Sequence, residues 1–172
     1  MAQNIPVKLV GLRSFLNDTE FATADITLPS LTQMTDTLSG AGILGELDLP
    51  SPGHYSSLEL GVAWKTINTG VFSIAGAEEA SMEFRGAFQE YEVNKGLVTK
   101  AIKIVIRGHS KGIDLGTLAQ NAATDTSNTV EITYIKIFIE GSSVFELDKF
   151  NYIFRINGKD ALYDVRKALG YN

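Results

Sequence analysis

The chain of 172 residues has a formal net charge of -5, 44% hydrophobic residues and no cysteine. That length supports one domain around one core, and the lack of thiols excludes a disulfide framework, thiolate metal sites and a cysteine nucleophile. The acidic balance argues against a protein that grips nucleic acid, since neutralising phosphates needs a concentrated basic face.

The amino terminus, MAQNIPVKLVGL, has no cationic region ahead of a long apolar stretch, and nowhere do eighteen apolar residues run together. This predicts a chain made in the cytoplasm, with no membrane insertion by the monomer. From Lys8 to Leu16 the pattern is short and mixed. Glu20 to Leu28 alternates, with Ala22, Ala24, Ile26 and Leu28 against Phe21, Thr23, Asp25 and Thr27, and reads as a strand ended by Pro29. Ser30 to Tyr55 is rich in Thr, Ser, Gly and Pro with little periodicity, which predicts a long loop or extended arm. Loops longer than about 15 residues in a compact domain are usually functional or docked on something else. Ser57 to Lys65 alternates again, with Leu58, Leu60, Val62 and Trp64 on one face. Asn68 to Ala75 predicts a short helix with Val71, Phe72 and Ile74 as its apolar contacts, stopped near Gly76.

The strongest pattern runs from Met82 to Phe154. Met82, Phe84 and Phe88 alternate with Glu83, Arg85 and Gln89, and Val98, Ile102, Ile104 and Ile106 oppose Thr99, Lys103 and Arg107, with turn residues Asn94 to Gly96 between. Gly108 to Asn128 is small and polar and reads as a second excursion out of the domain. In the next segment Ile132, Tyr134 and Phe138 share one face and Ile135, Ile137 and Ile139 the other, so it reads as a strand covered on both sides. Gly141 with Ser142 and Ser143 turns into a strand whose Phe150, Tyr152 and Phe154 repeat at every second position, closed by Asn157 and Gly158. Ala161, Leu162, Val165, Ala168 and Leu169 lie at helical spacing, with Gly170 as a cap.

Gly40, Gly42 and Gly45 have the spacing of a dinucleotide-binding loop. That motif needs a buried strand before it and a helix after it, and the flanking QMTDTLS and LDLPSP supply neither. His54 and His109, the only histidines, read as lone loop residues rather than metal ligands, and Glu78 and Glu79 as a solvated pair. Phe145, Phe150, Tyr152 and Phe154 read as core. No catalytic, cofactor or metal site emerges.

In chain order, ITLPSLTQ, SGAGILGELDL, FRGAFQ, IRGHSKGIDLG, YIKIFIEGSSVFELDKFNYIFRINGKDAL and VRKALG resemble the major tail tube protein of contractile-tailed phages and R-type bacteriocins, over nearly the whole chain. The resemblance implies a mainly β, non-enzymatic subunit, a tail-tube β-sandwich or barrel with one or two short helices. It further implies hexameric rings with a continuous inner β-barrel, four strands coming from each subunit. Rings would stack into a tube inside a sheath, with a baseplate or tail-tip initiator, a tail terminator, a tape measure protein in the lumen and, in a phage, double-stranded DNA passing through. The particle would be a virion tail or a bacteriocin, and the single domain would span residues 1-172. The tube of a type VI or extracellular contractile injection system shares that architecture, and a monomeric β-sandwich binding module is the reading from a different class.

Twenty-four strands about 4.8 Å apart and tilted about 45° close a barrel roughly 50 Å across, leaving about 40 Å inside the side chains. Duplex DNA would pass. The polar faces expected in that lumen are Asp25, Glu59, Lys65, Glu83, Arg85, Gln89, Lys103 and Arg107, the cations either paired with carboxylates such as Glu59 and Glu83 or turned elsewhere. The arm, through Gly40, Gly42, Ile43, Leu44, Leu47 and Leu49, and the loop residues Lys111, Ile113 and Asp114 are expected to dock on adjacent subunits.

Overall fold

The computed structural model describes residues 4–21 and 25–171. Among them, in chain order, are β1 (Asn4–Leu16), β2 (Thr19–Phe21), β3 (Asp25–Thr27), β4 (Gln33–Ser39), β5 (Glu46–Tyr55), β6 (Glu59–Trp64), α1 (Thr69–Gly76), β7 (Ala80–Glu92), β8 (Gly96–Asp114), β9 (Thr126–Ile139), β10 (Ser142–Asp148), β11 (Ile153–Ile156), β12 (Lys159–Asp160) and α2 (Tyr163–Ala168). One large antiparallel sheet runs β12-β11-β10-β9-β8-β7-β1-β2, with β6 joined to β9 and β3 to β6; β4 and β5 form a separate two-stranded hairpin.

The fold turns on one irregularity in β9. Arg107 of β8 faces Tyr134 and Gly108 faces Ile132, so Thr133 is an extra residue bulged out of the ladder. Ahead of the bulge Asn128, Val130 and Ile132 point into the core; beyond it the parity switches and Ile135 does. The segment expected to be covered on both sides is therefore a strand with a single buried face that changes register. The bulge also divides the outer edge of β9, which pairs with β6 through Thr126 to Glu131 and with β10 through Tyr134 to Ile139. The Thr133 hydroxyl bonds to the Arg107 carbonyl at 3.1 Å, and the Thr133 carbonyl accepts from Lys149 N at 3.1 Å.

The core lies where the sheet wraps around α1. Leu58, Leu60, Val62 and Trp64 are buried as the alternation predicts, with Met82 and Phe84 of β7 and Ile104 and Ile106 of β8 facing them. Asn68 caps α1 by accepting from Gly70 N at 2.8 Å. Val71 and Ile74 are buried, but Phe72, expected inside, is 53% exposed. Fully buried Asn128 ties the helix to the sheet, accepting from Trp64 Nε1 at 2.8 Å and donating to the Val71 carbonyl at 3.1 Å.

Several sequence expectations are corrected. The mixed stretch at 8–16 is a 13-residue strand whose period is broken by bulges at Val7 and Val10 in its pairing with β7. In the strand expected over 20–28, Ala22 and Ala24 lie outside the described residues, and the flanking pieces pair with different partners, β2 with β1 and β3 with β6. The long loop at 30–55 is largely the β4–β5 hairpin. The excursion at 108–128 begins later, because β8 continues to Asp114 against β9. Phe150, Tyr152 and Phe154 do not share one strand: Asp148 Oδ1 accepts from Phe150 N and Asn151 N, each at 3.0 Å, which makes a turn, and Phe150 is 72% exposed. Asn157 and Gly158 do form a tight turn with positive φ, and α2 is present.

A Cβ on Gly108 would sit 2.2 Å from the Glu131 carbonyl oxygen, whereas one on Gly112, in the same strand, would meet nothing within 4 Å. Gly108→Ala is therefore expected to destabilise the protein by about 2–3 kcal/mol and Gly112→Ala by less than about 0.5 kcal/mol, read as shifts in the urea midpoint. Equal effects would mean that backbone contact at the bulge is not what demands glycine.

Candidate functional site

Strand pairing gathers the polar residues of the central sheet on the side opposite the core. On β7 Glu83, Arg85 and Gln89 point that way; on β8 Lys103 lies across from Arg85, and Arg107 lies across from Tyr134 of β9. These five expected lumen residues share one face. Asp25, Glu59 and Lys65 lie apart from them: Asp25 pairs with Ala63, Glu59 with Glu131, and Lys65 follows the end of β6. Glu59 forms an ion pair with Lys111. The strand neighbours of β7 and β8 are β1 and β9, so the four adjacent long strands are β1, β7, β8 and β9.

On that face, ion pairs and cation–π contacts form a belt across the strands. Arg13 of β1 makes a two-pronged bond to Glu20 at 2.9 and 2.6 Å and lies 5.0 Å from the centre of the Phe15 ring. Arg85 approaches the same ring at 5.1 Å and bonds to Glu83 at 2.5 Å. Lys103 reaches Glu83 at 3.4 Å and the Phe138 ring at 5.3 Å. Lys136 sits 5.2 Å from Phe138 and 3.2 Å from Glu146. Arg155 carries the chain from Glu146, at 3.0 Å, to Asp160, at 3.4 Å, which Arg166 of α2 bonds at 2.5 Å. Beside the belt, Arg107 lies 4.4 Å from the Tyr134 ring and 3.8 Å from Asp148. A cation over an aromatic face is attracted by the ring quadrupole, so both charge and ring are occupied.

The protonation equilibria follow this geometry. Partial burial pushes the Glu83 carboxyl up, but bonding to Arg85 and the charge of Lys103 outweigh it and hold it below the usual range. Glu146 has the same balance, with burial opposed by Lys136, Tyr134 and Arg155. The bond from Arg166 holds Asp160 low. Burial and the neighbouring Glu146 push Tyr134 up to about 12. The lowered carboxyls favour the ionised belt at neutral pH, while Tyr134 is held neutral as a hydrogen-bond donor to Glu146.

The second surface is apolar. Leu9 and Leu12 of β1, Phe88 of β7 and Ile102 of β8 continue the core side of the sheet past the end of the core, and with Ile26 and Leu28 they line an open groove. Leu9 is 45%, Leu12 39% and Phe88 38% exposed. Hence β1, β7 and the start of β8 form a blade whose apolar underside is only partly covered by the described residues. Lys100 and Glu90, paired at 2.5 Å, close its far end on that same side.

The third surface is the hairpin. Tyr55 fixes its base by packing edge-on against Phe145 and Phe154, with centroids 6.3 and 5.6 Å away. Gly40, Gly42 and Gly45, all at positive φ, form its tip, an irregular turn rather than a nucleotide cradle. Ile43 is half-buried there, while Leu44, Leu47 and Leu49 are exposed. Lys111, Ile113 and Asp114, expected on a docking loop, lie instead at the end of β8. His54 and His109 sit on different strands, and among the described residues no three acidic or histidine side chains converge as for a metal. The belt residues missed from sequence are Arg13, Phe15, Glu20, Lys136, Phe138, Glu146, Arg155, Asp160 and Arg166. The aromatic residues alternated with the cations and could have been read as their platforms.

A family described as phage tail tube protein FII matches residues 6–170. The tail tube protein of Escherichia phage P2 is 29% identical over 172 residues, covering 96% of this chain and 98% of its own. The major tail tube protein of Serratia phage KSP20 is 24% identical over 152 residues, 84% of each chain. Two solved structures share the fold. A sheath/tube terminator of an extracellular contractile injection system, PVC, in its extended state has a TM-score of 0.56 at 9% identity, covering 77% of this chain and 96% of that one. The PVC sheath-tube complex in its extended state has a TM-score of 0.54 at 8% identity, with coverage of 74% and 87%. With nearly its full length matched, the chain belongs to the phage tail tube protein FII family and is a structural subunit of a tail tube.

Proposed function

We propose that six copies of this subunit close into a ring and that rings stack into a hollow tube, with the belt face of β1, β7, β8 and β9 lining the channel. The partly exposed apolar underside of the blade carries this reading. Leaving Leu9, Leu12 and Phe88 in water forgoes roughly 25 cal/mol per Å² of apolar surface that a neighbouring copy would bury. Most of the outer edge of β1, from Asn4 to Arg13, also lacks a strand partner among the described residues. Such an edge is an aggregation hazard in a monomer and a joint in a ring. The hairpin, anchored at its base and apolar toward its tip, docks on an adjacent subunit.

Around this tube the expected partners are a contractile sheath, a baseplate or tail-tip initiator, a tail terminator, a tape measure protein in the lumen before ejection, and double-stranded DNA during it. The tube then works mechanically, with no catalysis by the chain. Full-length similarity to phage tail tubes favours a genome conduit over a toxin-loaded injection tube, for which the likeness is one of fold. The exposed blade underside disfavours a monomeric binding module.

Leu44 and Leu47 are exposed in the subunit, so Leu44→Asp with Leu47→Asp should leave its thermal unfolding almost unchanged. If both leucines are buried on assembly, the loss is about 3 kcal/mol or more per contact, a rise of over 100-fold in the concentration at which tubes form. Sedimentation together with circular dichroism reads both quantities. Tubes forming at the wild-type concentration would remove the hairpin from the interface.

A further inference from the structure

We propose that Glu83 keeps the belt face from binding polyanions, an inference that rests on the reading of this face as the channel wall. Glu83 sits in the middle strands of the sheet and is the only carboxylate within 4 Å of either Arg85 or Lys103 among the described residues. The two cations lie on neighbouring strands, directly opposite each other, and their side chains are 56% and 42% exposed, so a ligand reaches them once Glu83 no longer holds them. Each also rests against an aromatic ring, Arg85 on Phe15 and Lys103 on Phe138, which holds it flat along the sheet.

A cation already held by a carboxylate gains little from a phosphate, because binding only exchanges one anion for another. Counterion release from DNA drives binding when a free cation replaces the ion. The face holds these cations in reserve: one carboxylate serves two of them, so losing it uncovers both. In a ring the same pair would recur in every subunit around the passing duplex, and weak contacts would add through multivalency. Glu146 also serves two cations, Lys136 and Arg155, but it is nearly buried and tied to Tyr134 as well, so its removal would disturb the fold. Glu83 lies nearer the surface and reports on charge alone.

The test compares wild type with Glu83→Gln by fluorescence anisotropy with a short linear duplex across a salt series, first on the subunit and then on assembled tubes. The variant subunit is expected to bind at least tenfold tighter at low salt. Its log K against log salt should steepen by about 1.8, the value for two phosphate contacts. Adding Arg85→Gln should remove about half of that change. Unaltered affinity and slope in a folded Glu83→Gln subunit would overturn the proposal, as would a gain that Arg85→Gln does not reduce. On tubes, a gain seen for the short linear duplex but not for closed circular DNA, which cannot thread the channel, supports the wall assignment. An equal gain for both would place the belt on the outside and sink the channel reading, even with Glu83 confirmed as the neutralising residue.

Discussion

The bulge at Thr133 is the constraint on which the rest of the subunit depends. Without it β9 would keep one parity, and Val130 with Ile132 could not share a core with Ile135. By switching faces midway, the strand stays paired with β8 on both sides of the bulge while its other edge passes from β6 to β10. One strand thereby joins the lobe around α1 to the lobe that carries α2 and the hairpin base. The close approach of Gly108 to the Glu131 carbonyl is the local cost of that arrangement.

What the sequence showed and concealed follows from the same physics. Regular two-residue periodicity exposed β6, β7 and the middle of β8, where one face is buried and the ladder is unbroken. Bulges at Val7, Val10 and Thr133 hid β1 and disguised β9, since each extra residue inverts the pattern after it. The hairpin was unreadable because its ladder skips from Gln33–Tyr55 to Thr35–Pro50, and prolines 50 and 52 stand within β5. The end of β8, HSKGID, is polar on both faces and paired all the same.

Of the belt face, sequence supplied the charges but not their arrangement. Glu83, Arg85, Lys103 and Arg107 were legible as one polar face; that Asp25 and Glu59 lie farther off, on β3 and β6 beyond β9, was not, because alternation cannot say which strands are neighbours. Phe15 was not singled out in the sequence and Phe138 was read only as one face of a covered strand, yet each is a platform for two cations. The result is a face whose cations are present but held by carboxylates and rings. On the proposed reading, an acidic chain can therefore carry arginine and lysine toward the channel without gripping what passes. The apolar blade and the hairpin, by contrast, are left exposed in the single subunit, which on the proposed reading ties completion of the fold to assembly.

That tie is tested most directly by electron microscopy of the purified protein over a concentration series, with tail-tip proteins added in a parallel series. Six-fold rings and stacked tubes with a channel about 40 Å wide are the expected result. Uniform small particles at every concentration, with and without the tail-tip proteins, would contradict it.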